Sequence, residues 1–129
     1  MSYLWIAAGA ALGGMLRYFF SGMAARLAGE TFPWGTLFVN VTGALIVGFF
    51  VALTGPEGRL IAPPHVRLFV MTGFCGGYTT FSTFSLETLR LMQDREWAYA
   101  GWNIASSIAL CLAGVWAGYQ AAMLLNERL

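Results

Sequence analysis

Residues Met71–Leu86 have the sequence MTGFCGGYTTFSTFSL, and this stretch decides how the rest of the chain is interpreted. It belongs to an uncharged run over residues 68–86, close to the roughly 20 residues that a membrane helix needs. Its centre combines Gly73, Gly76 and Gly77 with five hydroxyl side chains in residues 79–85. Broken backbone at membrane depth often marks an ion site. The stretch therefore predicts either a broken span at such a site or a glycine-rich face for close helix packing.

The composition indicates an integral membrane protein. Of the 129 residues, 58% are hydrophobic and 10% are charged, and the mean hydropathy is +0.66. This leaves too little polar surface for a soluble domain. The net charge of +1 offers no basic patch, so no nucleic-acid partner is expected. Cys75 and Cys111 lie in apolar stretches, where small buried side chains are expected rather than a disulfide or metal ligands.

Charged links divide the chain into four predicted spans within one transmembrane domain, residues 1–129. The spans cover residues 3–25, 34–54, 67–90 and 97–125. We predict an all-α membrane protein of four transmembrane helices, the third broken at its Gly/Thr-rich centre near Gly76 and Gly77. His65 lies in the second link beside prolines and is expected to be solvated, because no other ligand has metal-site spacing to it.

Isolated polar residues within the spans each have a structural and a functional interpretation. The Arg17 side chain either snorkels to the interface or forms an anion-attracting vestibule. Thr36, Asn40 and Gly43 lie four and three residues apart, so they share one helix face. The Asn40 amide either bonds across a helix interface or donates into a pore. Ser107 of the fourth span either holds helices together or binds an ion.

The arginines predict the orientation of the chain. Four spans place both termini on one side, and each side has three arginines. An excess of basic residues in cytoplasmic loops normally sets orientation, so this balance predicts insertion in both directions. Two opposed copies would form an antiparallel homodimer and supply the wall that four short helices lack. The two sets are Arg59, Arg67 and Arg128 on the terminal side, and Arg26, Arg90 and Arg95 on the other.

The chain resembles the Fluc (CrcB) family of fluoride channels over essentially its whole length. Three segments carry the resemblance: GGMLRY at residues 13–18, PWGTLFVN at 33–40 and GFCGGYTTFSTFS at 73–85. The resemblance implies a dual-topology homodimer in the cell's inner (plasma) membrane that exports cytoplasmic fluoride passively through two antiparallel pores. The sequence departs from the family at Cys111, where some members have a second serine, and at Tyr78, where leucine is frequent.

The resemblance also implies the site residues. Asn40, Phe81 and Phe84 would line the pore, Ser107 would be the hydroxyl of the fourth span, and Arg17 would lie at the vestibule. Fluoride is strongly hydrated, so its pathway needs amide and hydroxyl donors and the positive edges of aromatic rings. Without neighbouring hydroxyls, the two phenylalanines are interpreted as core packing. We expect further donors to be the hydroxyls of Thr36, Thr80, Ser82 and Thr83.

A broken span also predicts free backbone carbonyls at its centre. Such carbonyls often bind sodium, although here the hydroxyls of Thr79, Thr80 and Ser82 provide an alternative. By resemblance, the ligands are the carbonyls of Gly76 and Thr79 from both chains. The sodium ion (Na+) would then be structural and would not be transported.

Two rival functions belong to other classes. A small multidrug or cation transporter has a similar size and number of spans, but proton-coupled export needs a carboxylate within a span. Only Glu87, at the end of the third span, comes close. A non-transporting accessory subunit needs no pathway at all. An enzyme is not expected.

Overall fold

The computed structural model describes residues Met1–Leu129, and all of its regular structure is helical. Helix α1 covers Ser2–Ala28 and α2 covers Trp34–Thr54. A broken helix follows, made of α3 (Pro64–Arg67), a π-helical segment (Leu68–Cys75), α4 (Gly76–Tyr78) and α5 (Phe81–Gln93). Helix α6 covers Trp97–Arg128. Three helices, α1, α2 and α6, are each long and apolar enough to cross a membrane.

Helix α2 packs against α6, and this is the most extensive helix contact in the chain. The two backbones touch at glycines. A Cβ atom on Gly48 would collide with the Val115 carbonyl, and one on Gly118 would collide with the Leu45 carbonyl. In lipid, where apolar burial does not drive helices together, such close approach is a main source of helix association.

Helix α1 packs against the first half of the broken helix in the same way. A Cβ atom on Gly73 would lie 2.7 Å from the Ile6 carbonyl oxygen, and one on Gly77 would lie 2.6 Å from the Ala10 carbonyl oxygen. These glycines therefore serve close helix packing, the alternative that the sequence left open.

The third helix is broken, as predicted, but the break lies after the glycines. Gly76 has helical dihedrals of φ −64° and ψ −36°. The extended residues are Thr79, with φ −86° and ψ 158°, and Thr80, with φ −152° and ψ 113°. The prediction of a break at Gly76 and Gly77 is therefore wrong. Threonine hydroxyls compete with the helical hydrogen bonds of the backbone, and Thr79 Oγ1 donates to the Cys75 carbonyl at 2.8 Å.

The residues before the break are wound more widely than an α-helix. Leu68–Cys75 form eight residues of π-helix, a conformation that is rare and is often found at functional sites. No pattern in the sequence predicted this segment. Cys75 is buried and unpaired, and Cys111 is a half-buried free thiol.

Both chain termini lie at the same end of the molecule. The Trp5 ring lies 4.8 Å from the ring of His65, which is exposed as expected. At the C-terminus, the Asn126 amide donates to the Ala52 carbonyl at 3.3 Å and accepts from the Arg59 N–H at 3.4 Å. The links before α2 and α6 meet at the opposite end.

Arg67 closes the hairpin between α2 and the broken helix. Its Nη1 donates to the Thr54 carbonyl at 2.9 Å and to Thr54 Oγ1 at 2.8 Å. Thr54 is the last residue of α2, and carbonyls at a helix C-terminus carry partial negative charge. Arg67, at the start of the broken helix, thus donates hydrogen bonds to the last residue of α2.

Candidate functional site

Asn40 clasps the broken backbone at Thr80 with both ends of its amide. Its Oδ1 accepts from the Thr80 N–H at 2.7 Å, and its Nδ2 donates to the Thr80 carbonyl at 3.1 Å. Since an amide nitrogen has two protons, one Nδ2 proton remains available. Asn40 therefore bonds across a helix interface and retains a donor for an ion as well.

The break leaves two backbone carbonyls without their usual hydrogen-bond donors. In a continuous helix, the Thr80 N–H would donate to the Gly76 carbonyl, and the Thr83 N–H would donate to the Thr79 carbonyl. Here the first bonds to Asn40, and the second bonds to Thr80 Oγ1 at 3.2 Å. Neither carbonyl receives its usual backbone bond. These are the two carbonyls that the family resemblance implies as sodium ligands.

Thr80 is the N-cap of α5, and its hydroxyl organises the start of that helix. Besides accepting from the Thr83 N–H, it donates to Thr83 Oγ1 at 3.0 Å. The Thr80 proton is thus used, so Ser82, whose Oγ lies 3.3 Å away, is the donor in their contact. The Thr83 proton remains free. Capping of α5 by Thr80 therefore leaves the Thr83 hydroxyl as a donor without an acceptor in the chain.

A cavity of about 590 Å³ lies on one side of the break, between α2, α6 and both halves of the broken helix. Its walls combine the Asn40 amide, the Ser107 hydroxyl and two phenyl rings with apolar side chains, and they contain no charged residue. The predicted site residues that it brings together are Asn40, Gly76, Thr79, Thr80, Phe81, Phe84 and Ser107.

The two phenylalanines form a tilted pair at the rim of this cavity. Their ring centroids are 5.4 Å apart with an interplanar angle of 44°. Phe81 is 79% exposed in the single chain, which a residue of the core would not be. The packing interpretation therefore fails for Phe81 within one chain.

Ser107 belongs to a buried polar stripe on α6. Its hydroxyl donates to Asn103 Oδ1 at 3.5 Å, and Asn103 Nδ2 donates to Thr88 Oγ1 at 2.9 Å. The stripe thus joins α6 to α5, consistent with a role in helix packing. Because the Ser107 bond is long, its hydroxyl can turn toward the cavity that it also lines.

A second cavity, of about 390 Å³, lies on the other side of the break. Arg17 lines it together with Thr36, Thr83 and Glu87. Thr80 lies in the wall of both cavities. Ser82 lines neither of them and contacts the site only through Thr80.

Glu87, which the sequence offered only as the carboxylate of the rival transporter function, is a polar residue of this second cavity. It accepts from the Thr36 hydroxyl at 2.9 Å through Oε1, whereas its buried Oε2 has no hydrogen-bond partner. In the sequence it lies at the end of the predicted third span. The signal was its spacing: Thr80, Thr83 and Glu87 are three and four residues apart, which places them on one face of α5.

The fold is that of a small helical protein with three helices able to cross a membrane, and its two cavities meet at Thr80 of the broken helix. The family model described as CrcB-like protein, Camphor Resistance (CrcB), matches residues 4–119. The chain therefore belongs to the CrcB family, as the sequence predicted.

Curated relatives cover almost the whole chain. A protein of Opitutus terrae is 56% identical over 125 residues, which is 97% of this chain and 95% of the relative. One of Rhodospirillum rubrum is 51% identical over 127 residues, 98% of each chain. One of Methylocella silvestris is 51% identical over 127 residues, 98% of this chain and 97% of the relative. All three are named fluoride-specific ion channel FluC. The family is thus one of ion channels rather than enzymes.

Proposed function

We propose that this protein is a fluoride-selective channel that lets cytoplasmic fluoride leave the cell passively. The observation that carries the proposal is the position of Thr80 between two cavities, one lined by Arg17 and the other by Asn40 and the phenylalanine pair. An anion attracted by the arginine thus has a polar route past the break. The names of the relatives support the same ion.

The side chains along this route suit a small anion that must lose its water. Free donors remain at Asn40 Nδ2 and at the Thr83 hydroxyl, after their bonds to the break are counted. The edges of Phe81 and Phe84 carry partial positive charge. Replacing hydration by fixed donors of this kind is how pores select among ions.

We infer that the working unit is an antiparallel homodimer in the inner (plasma) membrane, with two pores. The cavity beside Phe81 is open in the single chain, and the exposed ring needs a cover. A second, oppositely inserted copy supplies one, and the even balance of arginines favours both orientations. Location in the plasma membrane follows from the direction of export.

We also infer a structural sodium ion at the centre of the dimer. The Gly76 and Thr79 carbonyls lack their backbone donors. The alternative hydroxyls are used elsewhere, since Thr79 Oγ1 donates to Cys75, Thr80 Oγ1 donates to Thr83 and Ser82 Oγ bonds to Thr80 Oγ1. Carbonyl oxygens are ligands for hard cations. Two copies of this pair around a two-fold axis make an oxygen cage for sodium.

Fluoride efflux from liposomes containing the purified protein tests the proposal. With a potassium ionophore present to balance charge, we expect fast release of fluoride and little release of chloride. Protein-free liposomes are the control. Equal release of both anions would contradict selectivity, and no release of fluoride would contradict the function.

One observation favours a second candidate, a proton-coupled cation exporter. Glu87 is a half-buried carboxylate with one unpaired oxygen, the group that such exporters need within a span. Uptake of a lipophilic cation driven by a proton gradient, lost in Glu87→Gln, would support this candidate. The names of the relatives support the channel instead.

A further inference from the structure

Tyr78 is the last helical residue before the break, and its buried side chain is tied to α2. The residue is 3% exposed, and its hydroxyl oxygen lies 2.9 Å from Thr42 Oγ1. A hydroxyl has one proton, and Thr42 donates its proton to the Phe38 carbonyl at 2.7 Å. Tyr78 is therefore the donor to Thr42.

The ring of Tyr78 is also held by two other helical elements. It is parallel to the Phe74 ring, with centroids 5.6 Å apart and an interplanar angle of 9°. Phe20 of α1 meets it edge-on at 6.4 Å and 87°. A Cβ atom on Gly43 would lie 3.2 Å from the ring, so α2 lies directly against it. The direction of the Tyr78 side chain is thus determined by its neighbours.

Tyr78 and Thr80 together restrain the residue between them. Tyr78 bonds to α2 through Thr42, and Thr80 bonds to α2 through Asn40. Thr79 lies between these two attachments, and its own N–H and hydroxyl both donate to the Cys75 carbonyl at 3.0 Å and 2.8 Å. The Thr79 carbonyl is therefore the one polar group of this residue without a bond in the chain.

We propose that Tyr78 is a positioning residue for ion conduction: its hydrogen bond to Thr42 sets the direction of the Thr79 carbonyl and thereby the affinity of the central sodium site. This rests on the proposed function. Loss of the hydroxyl alone leaves the ring packing in place and removes the hydrogen bond to α2, so that the Thr79 carbonyl is restrained by hydrogen bonds to α2 from the Thr80 side only. The bond thus acts on the ion through the backbone, and the side chain itself touches no ion.

The test measures the sodium concentration that supports half-maximal fluoride flux in liposomes and, independently of flux, the sodium concentration that gives half of the sodium-dependent rise in the thermal unfolding temperature of the purified protein. We expect Tyr78→Phe and Thr42→Val each to raise both concentrations about fivefold, the effect of losing one neutral hydrogen bond. The double variant should equal either single variant, because both remove the same bond. Tyr119→Phe, which removes a hydroxyl from an exposed position on α6, is the matched control and should behave as wild type.

The outcomes separate this inference from the proposed function. A wild-type protein without fluoride flux, or with flux independent of sodium, contradicts the proposed function, and the inference fails with it. A sodium-dependent wild type with an unshifted Tyr78→Phe variant overturns the inference alone, as do additive shifts in the double variant. If Tyr78→Phe does not yield folded protein, Thr42→Val leaves the ring intact and must show the same shift.

Discussion

Replacing Asn40 by aspartate separates the two roles of this side chain. In the wild type, the Thr80 N–H donates to Asn40 Oδ1 at 2.7 Å, and the aspartate retains an oxygen that can accept this bond. Its second oxygen replaces Nδ2, which lies 3.1 Å from the Thr80 carbonyl and lines the cavity. One hydrogen bond is lost, and a carbonyl is left without a donor, at a cost of about 1–3 kcal/mol in the free energy of unfolding.

The effect of Asn40→Asp on conduction is larger than its effect on folding. The position at which the free Nδ2 proton of the wild type would hold an anion lies roughly 3–4 Å from the new carboxylate. At 4 Å and an effective dielectric constant of 20, two like charges repel by about 4 kcal/mol, which corresponds to a roughly thousandfold loss of occupancy. We therefore expect fluoride flux to fall below detection.

Asn126→Asp is the matched control for this experiment. Asn126 is buried and makes the same two-point contact with backbone, at the far end of the chain and outside both cavities. Thermal unfolding of the two variants in detergent should show similar destabilisation, whereas fluoride efflux should be lost only in Asn40→Asp. Flux in Asn40→Asp within tenfold of that in Asn126→Asp would refute the reasoning.

Three further predictions concern the pore, the orientation and the cation. Phe81→Ile and Phe84→Ile retain apolar bulk but lose the positive ring edge, so we expect a sharp fall in fluoride efflux with unchanged elution of the dimer; unchanged efflux would leave both rings as packing. Reporters fused after Leu129 should show both orientations, and a short run of added lysines should favour one of them; a single orientation of the unaltered chain would contradict dual topology. Replacement of sodium by lithium or a large organic cation should inactivate fluoride flux slowly. An experimental density map should contain a spherical peak among the Gly76 and Thr79 carbonyls of both chains. Full fluoride flux without sodium would contradict the sodium site.

The sequence predicted the helical class, the number of helices and the broken third helix, because these depend on local composition. It placed the break wrongly because Gly76 and Gly77 were interpreted as helix breakers. Whether a glycine breaks a helix depends on what it contacts, and Gly77 lies against Ala10 of another helix. The true break needs the Asn40 amide, which lies 40 positions from Thr80 in the chain.

The candidate site was only partly predictable for the same reason. The shared face of Thr36, Asn40 and Gly43 follows from helical periodicity. The Thr36 and Asn40 side chains bond to the broken helix, and Gly43 lies directly against it. The periodicity does not say which partner each one finds. Thr36 bonds to Glu87, which lies 51 residues away in the chain. Partners that come from distant parts of the chain are determined by tertiary structure.

The bond from Arg67 to the end of α2 bears on the order of events during synthesis. Its two partners are 13 residues apart, so the hairpin can close soon after Arg67 emerges, whereas the Asn40–Thr80 clasp must wait for 40 residues of separation. Closing a short loop loses less chain entropy than closing a long one. The hairpin bond lies wholly within one chain and has the same geometry whichever way that chain faces. In the proposed dual-topology protein, both insertion products would therefore share this early folding unit, with Arg67 bonded to the end of α2 in each of them.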